Sequence, residues 1–573
     1  MKTLSARAGH EARRERQAGE VEAHHLEVDA EDGQHEADGD NRRIVKKVHH
    51  KNLPSQEPSE PIRLIGNPEE NFYILGRKQR AQWERLQDFL TPPKGLTKQL
   101  QRLGRELRAP PLAPRGPWER WLVAYCEGLE ENPRSYLEFL AALEQGPRAG
   151  LLPNASVLLR WDPRSQSAEQ FVLADWPLAF GEGADRLLVQ LSSGQGVLLV
   201  TPPGLPFLPL AAMNSAGVSL ALQAKFGAGA HEGRPVAELV TEALLEVEDV
   251  AQLRKFSKAR ATQRLWGIVA LDSRAQAMVL DVAGPQLDAI SINLLETPVL
   301  AFTRTPVVRG KEFSLEEPAH FAALARQRRQ WLLERPLRPE DGPLLAQLTR
   351  SHKLHRAQVP GVSLATAEAL VLNPAQRSLE AVVGKAPQFF QGQLQRWEDI
   401  FHGDMRRTQL VRESVSAEEL REHRIRRHFA LAQRARDLHQ VTEAFHQLQM
   451  GIAQAHGELA CLGQWVWAFW QWQEISHHRE LQLHYQTLAE TQRRVSAPAT
   501  DNIKFLKLLM EVELGLAATV TPLELTGALR AWSELYLAQP KPQRELWKRA
   551  LDARLDLQDL TLLPLWTATG PIG

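Results

Sequence analysis

The stretch LPNASVLLRWDPRSQSAEQFVLADW, Leu152–Trp176, is where the fold can first be read. Two short apolar runs, SVLLRW from Ser156 and FVLADW from Phe171, flank DPRSQSAEQ, which is rich in turn-forming side chains. That pattern predicts a β-hairpin. Working outward, the runs RLLVQL, GVLLVT, GVSLALQ, GIVALD and AMVLDV read as further strands. Between the third and fourth of these, Val236, Leu239, Val240, Ala243 and Leu244 fall at helical spacing, and Val250 and Leu253 mark a second, shorter helix. Strands in blocks and helices in blocks predict a layered α+β architecture instead of strict βαβ alternation.

Before the hairpin, IGNPEENFYILGRKQRAQWERLQDFL (Ile65–Leu90) reads as the end of a short strand, a turn at Asn67-Pro68 and a helix, broken by TPPKG. After the Pro-rich connector Ala109–Trp118, the segment Trp118–Gln145 reads as two helices separated at Asn132-Pro133. Residues 1–60 are charged, His-rich and poor in large apolar side chains, so they are expected to be a disordered leader or a mis-assigned start. Residues 410–573 are expected to be an all-α domain, solenoid-like or a bundle. Leu438, Val441, Phe445, Leu448 and Ile452 suggest one buried stripe there, and Thr521-Pro522 reads as a helix N-cap followed by Pro at the first helical position.

Composition narrows the function. Lys plus Arg and Asp plus Glu are 69 each, so a formal charge of zero gives no reason to expect a nucleic-acid partner. Two cysteines, Cys126 and Cys461, make no disulfide framework and no metal motif. No apolar run reaches the roughly 18 residues of a membrane span, and a cytoplasmic location is the default expectation.

The order of motifs resembles the acyl-coenzyme A:6-aminopenicillanic acid acyltransferase family and, more distantly, the choloylglycine hydrolases, from about residue 61 to about residue 395. The helical segment AYCEGLEENPRSYLEFLAAL comes first, then a hairpin ending in Asp175-Trp176. Next come PPGLPFLPLAAMNSAGVSLAL with the M-N-x-x-G-V signature at Asn214 and Gly217, then GRPVAELVTEALLE, VEDVAQL and WGIVALDSRAQAMVLDV. The late segment TAEALVLNPAQRSLEAVVGKAPQFF matches a closing hairpin. The resemblance implies a four-layer α/β/β/α N-terminal-nucleophile (Ntn) hydrolase fold acting on amide bonds. There, autocatalytic cleavage frees a Cys whose own α-amino group is the general base. An Asp orients the amine or substrate, and Asn side chains help form the oxyanion hole. Such chemistry implies no cofactor and no metal.

The carry-over to this chain is incomplete. Hydrophobic phase aligns Asn154 with the nucleophile, whereas the distance to Asp175 aligns Ser156. Val172-Leu173 stands where the family carries Arg-Asn, Arg304 stands at an expected oxyanion Asn, and Gln223 or Ala224 occupies a further hydrogen-bonding position. Three readings follow. In the first, the chain is a pseudoenzyme whose site binds a small acylated or amide ligand or another protein. In the second, it is a serine hydrolase cut at Ala155-Ser156, with Ser156, Asp175 and Arg304 as its catalytic set. In the third, the C-terminal helices are a protein-interaction scaffold. Trp465, Trp467, Trp470 and Trp472 read as a buried helix more readily than as an aromatic binding surface. His428, His439, His446, His456 and His477-His478 lack metal-ligand spacing, and the basic run Arg421–Phe429 reads as an exposed helix face.

Overall fold

Two large, mostly antiparallel sheets carry the fold of this computed structural model. It describes residues 60–90, 116–145, 154–225, 233–284, 286–303, 328–334, 342–349, 366–384, 392–411, 417–474, 478–492, 500–525, 527–542, 544, 551–555 and 560–564. The expected leader lies outside the described residues apart from Glu60. The first sheet has eight strands in the order β1 (Ile62–Ile65), β4 (Asp185–Gln190), β5 (Gly196–Thr201), β6 (Ala211–Asn214), β7 (Val218–Ala224), β8 (Thr262–Asp272), β9 (Gln276–Gly284) and β10 (Gln286–Asn293). The second has seven, in the order β11 (Val299–Phe302), β2 (Asn154–Asp162), β3 (Ser167–Asp175), β12 (Thr366–Asn373), β13 (Ser378–Val383), β14 (Gln393–Glu398) and β15 (Arg406–Gln409). The quoted hairpin is β2–β3, and its register sets Asn154 opposite Asp175 and Ser156 opposite Leu173.

Strand residues alternate between two faces, and here both faces are buried. Ala155, Val157, Leu159, Val172, Leu370 and Leu372 of the second sheet share one apolar cluster with Leu198, Val200, Ala221 and Val269 of the first. The sheets therefore face each other, and two side-chain amides cross between them. Gln170 Nε2 donates to the Val269 carbonyl at 2.9 Å, and Gln223 Nε2 to the Ala155 carbonyl at 3.2 Å. The alternate residues Leu158, Phe171, Leu173, Ala369 and Val371 join a second cluster with Leu332, Leu344, Leu345 and Leu348. Burial on both sides explains why these strands read as continuous apolar runs and not as alternating ones.

Helices α1 (Pro68–Leu90), α2 (Pro117–Leu129) and α3 (Pro133–Gln145) precede the hairpin; α4 (Val236–Glu246) and α5 (Val250–Lys258) fill the expected helical interval. Helix α4 packs on β5, β6 and β8, and α5 on β8, β9 and β10. The M-N-x-x-G-V signature has a mechanical explanation. Asn214 Oδ1 accepts the Val218 amide at 2.9 Å, closing the β6–β7 turn, while its Nδ2 donates to the Leu244 and Val247 carbonyls at 3.0 and 2.8 Å. One side chain thus closes a hairpin and satisfies orphan carbonyls at the C-terminal end of α4. Gly217 in that turn has φ of 93°, a left-handed conformation that glycine adopts without strain.

After α6 (Leu344–Thr349), the C-terminal part holds α7 (Ala417–Asp437), α8 (Val441–Gln454), α9 (Gly457–Glu474), α10 (His478–Gln492), α11 (Thr500–Leu514) and α12 (Gly527–Ala538). It also holds a two-stranded hairpin, β16 (Leu551–Leu555) with β17 (Leu560–Pro564), so the all-α expectation is corrected. The stripe from Leu438 is corrected in its continuity alone. His439, at φ 59°, separates α7 from α8; Leu448 is fully buried with Ala444 and Gly451, and Leu438, Phe445 and Ile452 pack partly buried against the same core. Thr521-Pro522 does form a capping box, but it opens only a 3₁₀ turn, Pro522–Glu524. Trp470 and Trp472 are fully buried, as the helix-core reading expected. Helix α7 is joined to the sheets through the loop after β3, where Arg434 pairs with Glu182.

The first sheet also buries an ion pair. Lys225, just past β7, lies across Gly267 of β8 to reach Asp281 on β9, and burial pushes its ammonium pKa down against the pull of that carboxylate. A Cβ at position 267 would lie 2.3 Å from Lys225 Cε. Gly267→Ala is therefore expected to break the pair and destabilise the chain by about 3 kcal/mol, the cost of an unpaired buried charge. Urea unfolding would show this as a lowered midpoint with unchanged slope; an unmoved midpoint would contradict it.

Candidate functional site

The start of β2 brings the expected site residues to one end of the second sheet. Asn154 is the Cα partner of Asp175, which is also the partner of Thr366 at the start of β12. Ser156 lies two residues along β2 from Asn154, so both point to the same face, away from the inter-sheet cluster that holds Ala155 and Val157.

Onto this face comes Arg328, in a helical segment described over residues 328–334. Its side chain is 3% exposed, and the guanidinium binds three side chains at once. Nη1 donates to Ser156 Oγ at 3.2 Å and forms an ion pair with Asp175, while Nη2 donates to Asp175 Oδ1 at 3.4 Å and to Thr366 Oγ1 at 3.5 Å. Thr366 Oγ1 in turn donates to Asp175 Oδ1 at 2.7 Å. A planar guanidinium presents five donors in a fixed fork, which suits it to hold one carboxylate and two hydroxyls together.

This arrangement restricts the chemistry of Ser156. A hydroxyl becomes a nucleophile when a neighbouring base takes its proton. The neighbour here is a guanidinium, which only donates and is not deprotonated in proteins. Asp175 could accept a proton, but its carboxylate is occupied by Arg328 and Thr366. In the continuous chain Ser156 is thus held and not activated, and an amine base would exist only after cleavage at Ala155-Ser156.

On the opposite face of β2, Gln223 donates to the carbonyl of that same peptide bond. Of the two residues that the resemblance left open there, Gln223 is the one that reaches β2. Two ion pairs lie nearby in the register: Lys225–Asp281, and Arg186–Glu368, which joins the two sheets at 2.6 Å with a further Arg186 bond of 3.2 Å to the Val382 carbonyl. Burial pushes the Glu368 carboxyl pKa up, opposed by Arg186. Asn154 Oδ1 and Gln223 Oε1 are buried acceptors without a hydrogen-bond partner.

The sequence-expected set is therefore only partly assembled. Ser156 and Asp175 meet through Arg328, whereas Arg304 lies outside the described residues. Val172 and Leu173 are fully buried in the two apolar clusters and offer no polar function. Arg328 and Thr366 were missed by sequence reasoning. Among the described residues, no group of His, Cys, Asp and Glu could hold a metal, and no helix is long and apolar enough to cross a membrane. His428 bonds Gln447 at 2.9 Å across α7 and α8, a packing role.

No family model matches the chain, and no curated protein matches it. Among solved structures, it is similar to a mutant of conjugated bile acid hydrolase from Clostridium perfringens, with 11% identity and a TM-score of 0.28 over 46% of this chain and 99% of that one. A second variant of that hydrolase gives 10% identity and 0.26 over the same shares. Penicillin V acylase from Agrobacterium tumefaciens gives 8% identity and 0.25 over 42% of this chain and 90% of that one.

If Arg328 neutralises Asp175 as described, Arg328→Met leaves a largely buried carboxylate unpaired and should cost about 3 kcal/mol. The double variant Arg328→Met/Asp175→Leu should recover most of that loss, since removing both charges is often close to neutral. A chemical-denaturation cycle measures both; additive losses would show that the two side chains do not interact.

Proposed function

We propose that this chain is an Ntn-hydrolase-type protein whose site is retained for binding and not for turnover. The reading places a four-layer α/β/β/α part over residues 61–395, followed by a mainly helical part over residues 410–573. It rests on the ordered motifs of the sequence and on the two facing sheets. The observation that carries the loss of turnover is the Arg328 clamp. A donor-only group holds Ser156 Oγ, and the same group occupies the carboxylate that would orient a freed amine. Asn154, the other residue aligned with the nucleophile, has an amide side chain that is not nucleophilic. The ligand class that fits the family chemistry is a small acylated or amide compound.

A second reading has one specific observation in its favour. Gln223 Nε2 already donates to the Ala155 carbonyl. Attack of Ser156 Oγ on that carbonyl carbon would put negative charge on the oxygen that Gln223 contacts, which is what an oxyanion donor requires. Cleavage would then free the Ser156 amine as a base, with Asp175 available to orient it once Arg328 has withdrawn.

Intact mass of the purified chain, with N-terminal sequencing of any fragment, separates the two readings. The clamp reading predicts one uncut chain, and it predicts that Ser156→Ala creates no processing difference and leaves any residual amidase activity unchanged. A new amino terminus at Ser156, lost in Gln223→Ala, would establish the serine reading instead.

A further inference from the structure

Strands β3 and β12 do not keep step along their whole length. From Leu372 opposite Gln170 to Glu368 opposite Ala174, one residue of β12 faces one residue of β3. Thr366 then faces Asp175, so two residues of β12 are set against one of β3. Ala367 is the extra residue, and the strand carries a β-bulge there.

Side chains of a regular strand alternate between its faces. Leu370 and Leu372 lie in the inter-sheet cluster, whereas Ala369 and Val371 lie in the outward one. Glu368 follows this alternation and meets Arg186 of the first sheet at 2.6 Å. In an unbroken ladder Thr366 would turn inward with Glu368, and Ala367, a bare methyl, would stand opposite Asp175. The bulge reverses this. Thr366 turns to the outward face, where its hydroxyl donates to Asp175 Oδ1 at 2.7 Å and accepts from Arg328 Nη2 at 3.5 Å.

The register behind the bulge is held from the other face. Arg186 binds Glu368 and also donates to the Val382 carbonyl of β13 at 3.2 Å, and both members of the ion pair are buried. A one-residue slip of β12 would remove the bulge and keep Thr366 opposite Asp175. It would also take Glu368 away from Arg186 and turn Leu370 and Leu372 out of their cluster. The bulge satisfies both faces at once and leaves one residue of the ladder unpaired.

We propose that Thr366 is a positioning residue for Asp175 and that the bulge at Ala367 serves to present it. The inference rests on the Arg328 clamp. With Thr366 on Oδ1 and Arg328 on both oxygens, the Asp175 carboxylate is held in the orientation in which the same guanidinium reaches Ser156 Oγ.

Backbone amide hydrogen exchange of the full chain tests this, with intact mass recorded on the same samples. Thr366→Val removes the hydroxyl and keeps a β-branched side chain. Protection of Asn154–Ser156 and Ala174–Trp176 should then fall about tenfold, the order that one hydrogen bond to a charged group carries, while β8 and β9 keep theirs. Thr366→Ser retains the hydroxyl and should retain the protection. Thr366→Ala should lose protection as Thr366→Val does, and it serves in its place if the valine variant folds poorly. The double variant Thr366→Ala/Ala367→Thr carries the hydroxyl at the residue that faces Asp175 in a regular ladder, so it should restore most of what Thr366→Ala loses. Unchanged protection in the single variants that lack the hydroxyl, or a double variant no better than Thr366→Ala alone, overturns the inference. Such a result in an uncut chain defeats the positioning role alone, whereas a chain cut at Ser156 defeats the clamp reading whatever the exchange shows.

Discussion

Face-to-face burial of two sheets is the constraint on which the rest of the molecule depends. Once β2, β3 and β12 are covered on both sides, a polar side chain they carry gains by finding a partner inside the protein, and most do so through at least one of their polar atoms. Gln170 and Gln223 do so across the inter-sheet space, Arg186 and Glu368 pair across it, and Lys225 reaches Asp281 over a glycine. On the outward face, Arg328 comes to Asp175 from a helix and Thr366 from the adjacent strand.

The candidate site is one instance of this rule. Replacing both members of a buried ion pair with apolar groups is often close to neutral for stability, so such a pair is weak evidence that it is there for stability alone. The Arg328 set does something an apolar filling would not. It fixes the hydroxyl of Ser156 and the carboxylate of Asp175 with one fork of donors at the start of the β2–β3 hairpin. The same guanidinium also ties the helical residues 328–334 to the end of the second sheet.

Much of the fold was legible in the sequence because its signals are local. The turn residues between Asp162 and Ser167 set the β2–β3 hairpin, Asn132-Pro133 separated two helices, and Val236 to Leu244 gave a helix at its proper period. Errors arose where a local pattern met a non-local demand. The run from Leu438 to Ile452 looked like one stripe, yet a left-handed residue at His439 divides it between two helices; Leu438, Phe445, Leu448 and Ile452 still pack on the core, and the small Ala444 and Gly451 are buried beside them. Thr521 does cap as its sequence suggests, but the chain after it turns only once. For the site, Ser156 and Asp175 were singled out by the resemblance, with Asn154 as the alternative to Ser156, and the structure brings Ser156 and Asp175 to one guanidinium. Arg328 could not be, because it comes from far along the chain, in an ordinary-looking Arg-rich helix. A usable signal did exist: charges inside apolar runs, such as Glu368 in TAEALVLN and Asp281 in AMVLDV, announce that distant cations must come to meet them.

The central claim is that Arg328 holds Ser156 and Asp175 together in a continuous chain. A crystal structure of the purified protein tests it most directly. The account predicts unbroken backbone through Ala155-Ser156, with the guanidinium within hydrogen-bonding distance of Ser156 Oγ and both Asp175 oxygens. A free amino terminus at Ser156, or Arg328 turned away with the Ser156 hydroxyl facing a base, would contradict it.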